Sequence, residues 1–234
     1  MKMNSPQKTA RVAAFVFLII IFLGMSTELF IRPGMIVPGD AAATVKNIAA
    51  SQALFRLSLV SELVRQALLM LLPLILYKLL KPVNKTIASL MVIFALVCVP
   101  ISMVNELNHF AVLLLSSGAG YLTAFKSDQL NALVMFFLEL RKYGTFIPQV
   151  LSFWVLLLGY LVFKSGFLPR ILGILLMLGG LCYTVAAVLF FLVPNFDATI
   201  FGLFAFIGEL LFYLWLLIKG VNVEQWEKRA AESA

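Results

Sequence analysis

"VAAFVFLIIIFLGMSTELFI", residues 12–31, carries a single charged side chain, Glu28. A helix rises about 1.5 Å per residue, so this stretch reaches about 30 Å, the thickness of a bilayer's hydrocarbon core. Lys2, Lys8 and Arg11 stand before it. It is longer than the apolar region of a signal peptide and has no small-x-small cleavage site ahead of Glu28, so it reads as a retained first membrane helix.

The rest of the chain repeats that pattern. Of its 234 residues 62% are hydrophobic and 12% charged, and the mean hydropathy is +1.03. A soluble domain holds about 45–50% apolar and ~25% charged residues, so this composition belongs to membrane proteins. A transmembrane barrel needs segments of about ten residues with alternating polarity, and none occurs. Helices are the remaining way to satisfy every backbone polar group in lipid. The expected fold is an all-α, polytopic bundle forming one integral membrane domain over residues 1–234.

Six spans follow, at about 12–31, 52–80, 87–115, 144–163, 168–193 and 198–218. Pro73 is a kink site in the second. After the first comes "RPGMIVPGDAAATVKNIAAS", with two Pro-Gly breaks and Asp40 placed to cap a short Ala-rich helix. The loop "SSGAGYLTAFKSDQ" ends at Ser127 and Asp128, which can cap the next helix. From Asp128 to Phe163 the apolar pattern is too long for one span. It divides into a partly interfacial helix to about Arg141, a break around Gly144 and Pro148, and the fourth span.

An even number of spans puts both termini on one side. Eleven Lys and Arg then flank the spans on that side, including Lys78, Lys81, Lys85, Lys164 and Arg170, against six on the other. The positive-inside rule orients both termini to the cytoplasm and the short interfacial helices outside. The net charge of +7 therefore records topology; there is no aromatic–basic platform for nucleic acid. Cys98 and Cys182 both lie in apolar runs, where cysteine behaves as a small hydrophobe. No Gly-x-x-x-Gly pair marks a helix–helix seam, and no internal repeat is evident.

Ionisable groups inside spans cost about 2.5–3.5 kcal/mol each at the bilayer centre on insertion scales, so those present carry information. Glu28 precedes Arg32 by four residues, an ion-pair spacing. Arg56, Glu62 and Arg65 lie on the second span, with Glu62 and Arg65 sharing a face. In "MVNELNHF", residues 103–110, Glu106 and the lone histidine, His109, share a face of the third. Glu139, Arg141 and Lys142 precede the fourth, and Glu209 stands alone in the sixth. By topology Glu28, Arg56, Glu106, His109 and the group Glu139, Arg141 and Lys142 fall in the outer third of the membrane, with Glu62 and Arg65 nearer its middle. If these faces turn inward they form a polar pocket open to the outside; interhelical ion pairs that hold the bundle together are the competing reading.

Sharper chemistries fail against the inventory. Glu106-x-x-His109 is one half of a di-iron motif, but the second histidine is absent. Zinc sites with three protein ligands need two or three histidines, and bis-histidine haem needs two. No Gly-x-Ser-x-Gly elbow is present. The sequence thus assigns no metal, no cofactor and no catalytic residue, and leans away from an enzyme.

Several phrases together resemble a known family: "SPQKTAR" (5–11), "VPGDAAAT" (37–44), "LLKPVNK" (79–85) and "LLGYLVFKSGFLPRILG" (157–173). They are similar to the bacterial membrane family called domain of unknown function 4386, over about residues 5–218. The most specific phrase is "GYLVFKSGFLPRILG". The resemblance implies a bacterial inner-membrane protein of six or so helices and brings no activity with it. It also implies that Asn105 and Asn108 are the shared polar pair of residues 103–110, with Glu106 and His109 particular to this chain. In the signature, Gly166 permits a tight turn and Pro169 suits a helix start.

The functional expectation is a non-enzymatic membrane protein, in contact with lipid and not with nucleic acid. It binds a small anionic or amphiphilic molecule at Glu28, Arg56, Glu62, Arg65, Glu106, His109 and Glu139, in transport or sensing. Two alternatives stand beside it. One is an intramembrane enzyme acting on a lipid with Glu106 and His109 as acid–base pair, the other a structural or partner subunit without a ligand.

Overall fold

The computed structural model describes residues 6–233. Lys2 of the charge count and Ser5 of the first family phrase lie outside them. Among the described residues there is no strand. Helix α1 (Pro6–Met25) continues as a π-helical turn, Ser26–Ile31, and α2 (Ala41–Ala50) is short. Then come α3 (Gln52–Leu80), α4 (Lys85–Asn105), α5 (Leu107–Leu115), α6 (Ser127–Val150), α7 (Phe153–Ser165), α8 (Arg170–Leu192), α9 (Thr199–Ile218) and α10 (Val223–Glu232).

Six helical stretches are long and apolar enough to cross a membrane: Pro6–Ile31, Gln52–Leu80, Lys85–Leu115, Ser127–Ser165, Arg170–Leu192 and Thr199–Ile218. At most a third of each span's most apolar stretch is buried in the protein. Phe15, Phe22, Phe30, Ile93, Leu192 and Ile200 are among the side chains left open. A water-soluble bundle would hide such residues, whereas acyl chains cover them at no cost. The chain is a multi-pass helical membrane protein.

Several local signals act as the sequence implies, whereas Ser127 and Asp128, expected as caps, lie inside α6, and Gln129 Oε1 accepts the Lys126 amide at 2.9 Å instead. Asp40 accepts the Ala43 amide at 2.8 Å and starts α2. Gly166 takes a left-handed conformation, φ +78°, and closes α7, while Pro169 sits immediately before α8. One boundary moves. The helix runs unbroken through Gly144 and Pro148, and the interruption falls at Leu151 and Ser152. Pro148 lacks the N–H that would bond the Gly144 carbonyl, and the disturbance emerges one turn later as tightened bonds, Leu151 N to Pro148 O at 3.1 Å and Ser152 N to Gln149 O at 3.0 Å. The Cys98 thiol, a weak donor, takes up Pro148 O at 3.5 Å and Leu151 O at 3.8 Å. Both cysteines are free thiols.

The chain gathers into two compact units. One joins α1 up to Ile19 with Leu68–Val99 and the chain from Phe146 onward; the other joins Ile20–Ala67 with Pro100–Thr145. The first unit is held by close backbone approach and stacked rings. A Cβ on Gly159 would lie 2.6 Å from Met177 N, and one on Gly173 would lie 2.5 Å from Phe163 N. Gly180 meets Leu156 N in the same way at 2.7 Å. Gly173 and Gly180 stand two turns apart on one face of α8, so α7 lies directly against its backbone. Packing of this kind substitutes for the hydrophobic effect, which gives little between helices already in lipid. Phe17 stacks on Tyr213 at 3.7 Å and Phe146 on Phe190 at 3.8 Å.

The second unit has a small apolar core of Ile31, Met35, Ile48, Phe55, Leu59, Val112 and Val134. Thr44 ties α2 to the loop before it, accepting from Val37 N at 2.9 Å.

Gly159→Ala is expected to force α7 and α8 apart and destabilise the protein by about 1–3 kcal/mol, as overpacking does. Gly202, whose Cβ position is open, serves as comparison: Gly202→Ala is expected to be neutral or to gain up to about 1 kcal/mol. Thermal unfolding of both variants in one detergent checks the contrast.

Candidate functional site

The polar residues of "MVNELNHF" gather where the third span breaks. Pro100 removes one bond from α4, and at Glu106 the helix changes register. The Glu106 amide is shared between Ser102 O and Met103 O, both at 3.2 Å. The offset leaves the Glu106 side chain buried, and both its oxygens are used. Oε2 accepts from His109 Nδ1 at 2.9 Å, and Oε1 accepts from Arg141 Nη2 at 3.0 Å. An ionised carboxylate only accepts, so the His109 proton facing it sits on Nδ1. His109 is itself buried, with its ring edge-on to Phe55 at 5.6 Å.

The asparagines hold the partner helix in place. Asn105 Nδ2 donates to Arg141 O at 2.9 Å, and Thr145 Oγ1 donates to the same carbonyl at 3.0 Å. Asn108 Nδ2 bonds Asn105 O and Oδ1, both at 3.0 Å. Gly144 makes room for this: a Cβ there would lie 2.0 Å from Asn105 Oδ1. The two asparagines are thus the clamp that sets Arg141 opposite Glu106.

Two further spans bring charges into the same unit. Ser26 and Thr27 hydroxyls bond back to Phe22 O and Leu23 O as the first span widens into its π turn. That turn carries Glu28 and ends at Arg32, and the two side chains are paired. On α3, Arg65 donates Nε and Nη2 to Glu62 Oε2 at 2.9 and 2.7 Å, with Glu62 buried. Gly24 lets the first helix pass Arg65, whose Cδ would lie 3.4 Å from an added Cβ. Burial and the facing Arg141 push the Arg32 guanidinium below its ordinary value, while Glu28, Glu62 and Glu106 pull it back up. Arg32 is therefore in electrostatic reach of charges from all four spans of the unit. Glu28, Glu62 and Glu106 stand with Arg32, Arg65 and Arg141, three acidic and three basic side chains.

Not every polar group is satisfied. Arg32 Nε and Nη2, Arg141 Nε and Gln66 Oε1 are buried without a hydrogen-bond partner. Buried polar atoms in native proteins nearly always have a partner, so such atoms ask for an explanation.

Of the residues expected at the site, the structure joins Glu106 and His109 directly and pairs Glu62 with Arg65 and Glu28 with Arg32. Arg56 is exposed and makes no ion pair, since the neighbouring Phe55 takes the inward position on α3. Glu139 also points outward, in a loose 3.8 Å pair with the exposed Lys142. Arg32, half-buried, and Arg141, buried, belong to the cluster although neither is among the residues expected at the site. Among the described residues no group of three His, Cys, Asp or Glu could hold a metal ion.

A family model described as "Domain of unknown function (DUF4386)" matches residues 12–220, and the chain belongs to that family. An uncharacterised protein of Archaeoglobus fulgidus is 32% identical over 151 residues, covering 64% of this chain and 75% of the relative. No solved structure matches significantly.

Gly144→Ala is expected to push Asn105 off Arg141 O and destabilise the protein by about 1–3 kcal/mol. Adding Asn105→Ala, which removes the clashing side chain, should recover part of that loss. Glu28→Gln, altering a half-exposed pair, should change stability by no more than about 1 kcal/mol. Thermal unfolding in detergent ranks the three.

Proposed function

The family assigns no activity, and from the geometry of this chain we propose that the protein binds a small anionic or amphiphilic molecule, a carboxylate or a phosphate-bearing headgroup, at the arginine cluster of its second unit. The observation that carries this reading is the trio of buried guanidinium N–H groups, Arg32 Nε and Nη2 and Arg141 Nε, that no protein acceptor meets. Planar guanidinium forks match carboxylate and phosphate oxygens, and a ligand oxygen would relieve the unpaired donors. Arg32 and Arg141 take the roles that sequence alone gives to Arg56 and Arg65, because Arg56 points away and Arg65 is committed to Glu62. Binding serves transport or sensing in this reading.

The charge asymmetry along the chain supports both termini on the cytoplasmic side and the arginine cluster facing outward; in this reading the protein lies in a bacterial cytoplasmic membrane. The enzyme alternative has less support, because both oxygens of Glu106 are already bonded and neither is free to accept a substrate proton. The purely structural alternative draws on the same bonds and on the balance of charges.

Dodecyl phosphate and a neutral detergent of equal chain length separate the readings. Dodecyl phosphate is expected to raise the unfolding temperature of the native protein; saturation at 100 times Kd is worth about 2.7 kcal/mol. Arg32→Gln and Arg141→Gln should lose the response while Arg56→Gln keeps it. An equal response in all four proteins, or none in the native one, contradicts the proposal.

A further inference from the structure

Glu209 stands near the middle of α9 (Thr199–Ile218), with roughly 15 Å of helix on either side at 1.5 Å per residue. That is half of a hydrocarbon core about 30 Å thick, so the carboxyl sits at the level farthest from water. Every other glutamate of the spans has a basic partner: Glu28 has Arg32, Glu62 has Arg65, Glu106 has Arg141 and Glu139 has Lys142. Among the described residues Glu209 has neither an ion pair nor a hydrogen bond.

What surrounds it is polar without being charged. Tyr213, one turn further along α9 and on the same face, is fully buried, and its hydroxyl has no partner. Its ring packs between Phe17, stacked at 3.7 Å, and Phe212, edge-on at 4.9 Å. Tyr183 on α8 and Tyr213 both lie within electrostatic reach of Glu209. The two helices close tightly around this level, where a Cβ on Gly208 would lie 3.1 Å from Leu175 O and one on Gly179 would lie 3.2 Å from the Cα of Ala205.

An unpaired carboxylate in this position bears the full insertion cost of about 2.5–3.5 kcal/mol. A carboxyl group sheds that cost by taking a proton, and the unused Tyr213 oxygen, one turn along the same face, is an acceptor toward which the acid O–H can turn. We propose that Glu209 and Tyr213 form a proton-binding site inside the membrane. Both residues lie on α9, a different helix from those of the arginine cluster, and the site's ligand is the proton that Glu209 takes up and releases. The site gives the protein a means of coupling to proton concentration that does not depend on the anion reading.

Dicyclohexylcarbodiimide tests it. This apolar reagent adds a carboxylic acid across its N=C bond and leaves a stable acylurea, whereas ionised carboxylates do not react. The full-length protein in membranes is treated over a pH series and the labelled residue is located by mass spectrometry. The expected result is a label on Glu209, absent from the exposed Glu224 and Glu227, that falls ~tenfold per pH unit once the pH passes the titration midpoint. Glu209→Gln should abolish it, and Tyr213→Phe should lower it several-fold at the same pH. No label on Glu209 in the native protein at any pH, or a label that ignores pH, overturns the site. An unchanged label in Tyr213→Phe overturns the part given to Tyr213. The native-protein result stands even if a variant fails to fold.

Discussion

A carboxylate buried in a membrane protein must have all its charge answered by the protein, and Glu106 meets that condition through two bonds from two directions. His109 is local, one helical turn along the same span. Arg141 comes from another span, so the bond to it joins segments distant in sequence. Much of the second unit follows from meeting that requirement. The break in the third span turns Glu106 inward, Asn105 and Thr145 fix the Arg141 backbone, and Gly144 leaves space for Asn105 to do so. Removing one partner of such a pair strands the other charge in a buried setting.

The two units solve the problem of cohesion in lipid differently. In the first, glycines let α7, α8 and α9 approach until backbone touches backbone, and aromatic rings fill the remaining gaps. In the second, charges from four spans are paired, so apolar packing is confined to a small core beneath α2. These solutions have different consequences. Close-packed glycine seams are rigid and leave few polar atoms over, whereas a charged cluster leaves the unmatched guanidinium donors on which the binding reading rests. Glu209 is the exception within the first unit, a lone acid among rings, and for that reason it carries a separate inference.

Much of the fold was legible in the sequence because the signals were local. Apolar length gave the spans, Asp40 gave the start of α2, and Gly166 with Pro169 gave the turn between α7 and α8. The spacings of Glu62 with Arg65 and Glu106 with His109 gave their shared faces. What could not be read depended on packing. Gly173 and Gly180 are seven residues apart, so a search for glycines four apart passes over the seam they form. Phe55 and Arg56 are adjacent, and only the apolar core beneath α2 decides that the phenylalanine goes in and the arginine out. Pro148 marked a disturbance but not its position, because the proline's missing bond is felt a turn later. Arg141 carried no sign that it would face Glu106; that depends on a helix break whose angle no local pattern specifies.

The central claim is that Glu106 and Arg141 act as one unit, and a double-mutant cycle measures it most directly. Glu106→Gln and Arg141→Gln are made singly and together, and the unfolding free energy of each is determined in a single detergent. If the pair is the constraint described, each single variant loses about 3–5 kcal/mol, and the double variant loses much less than their sum because neither charge is left stranded. Losses that add to within about 0.3–0.5 kcal/mol would show the two residues to be energetically independent and would contradict the account.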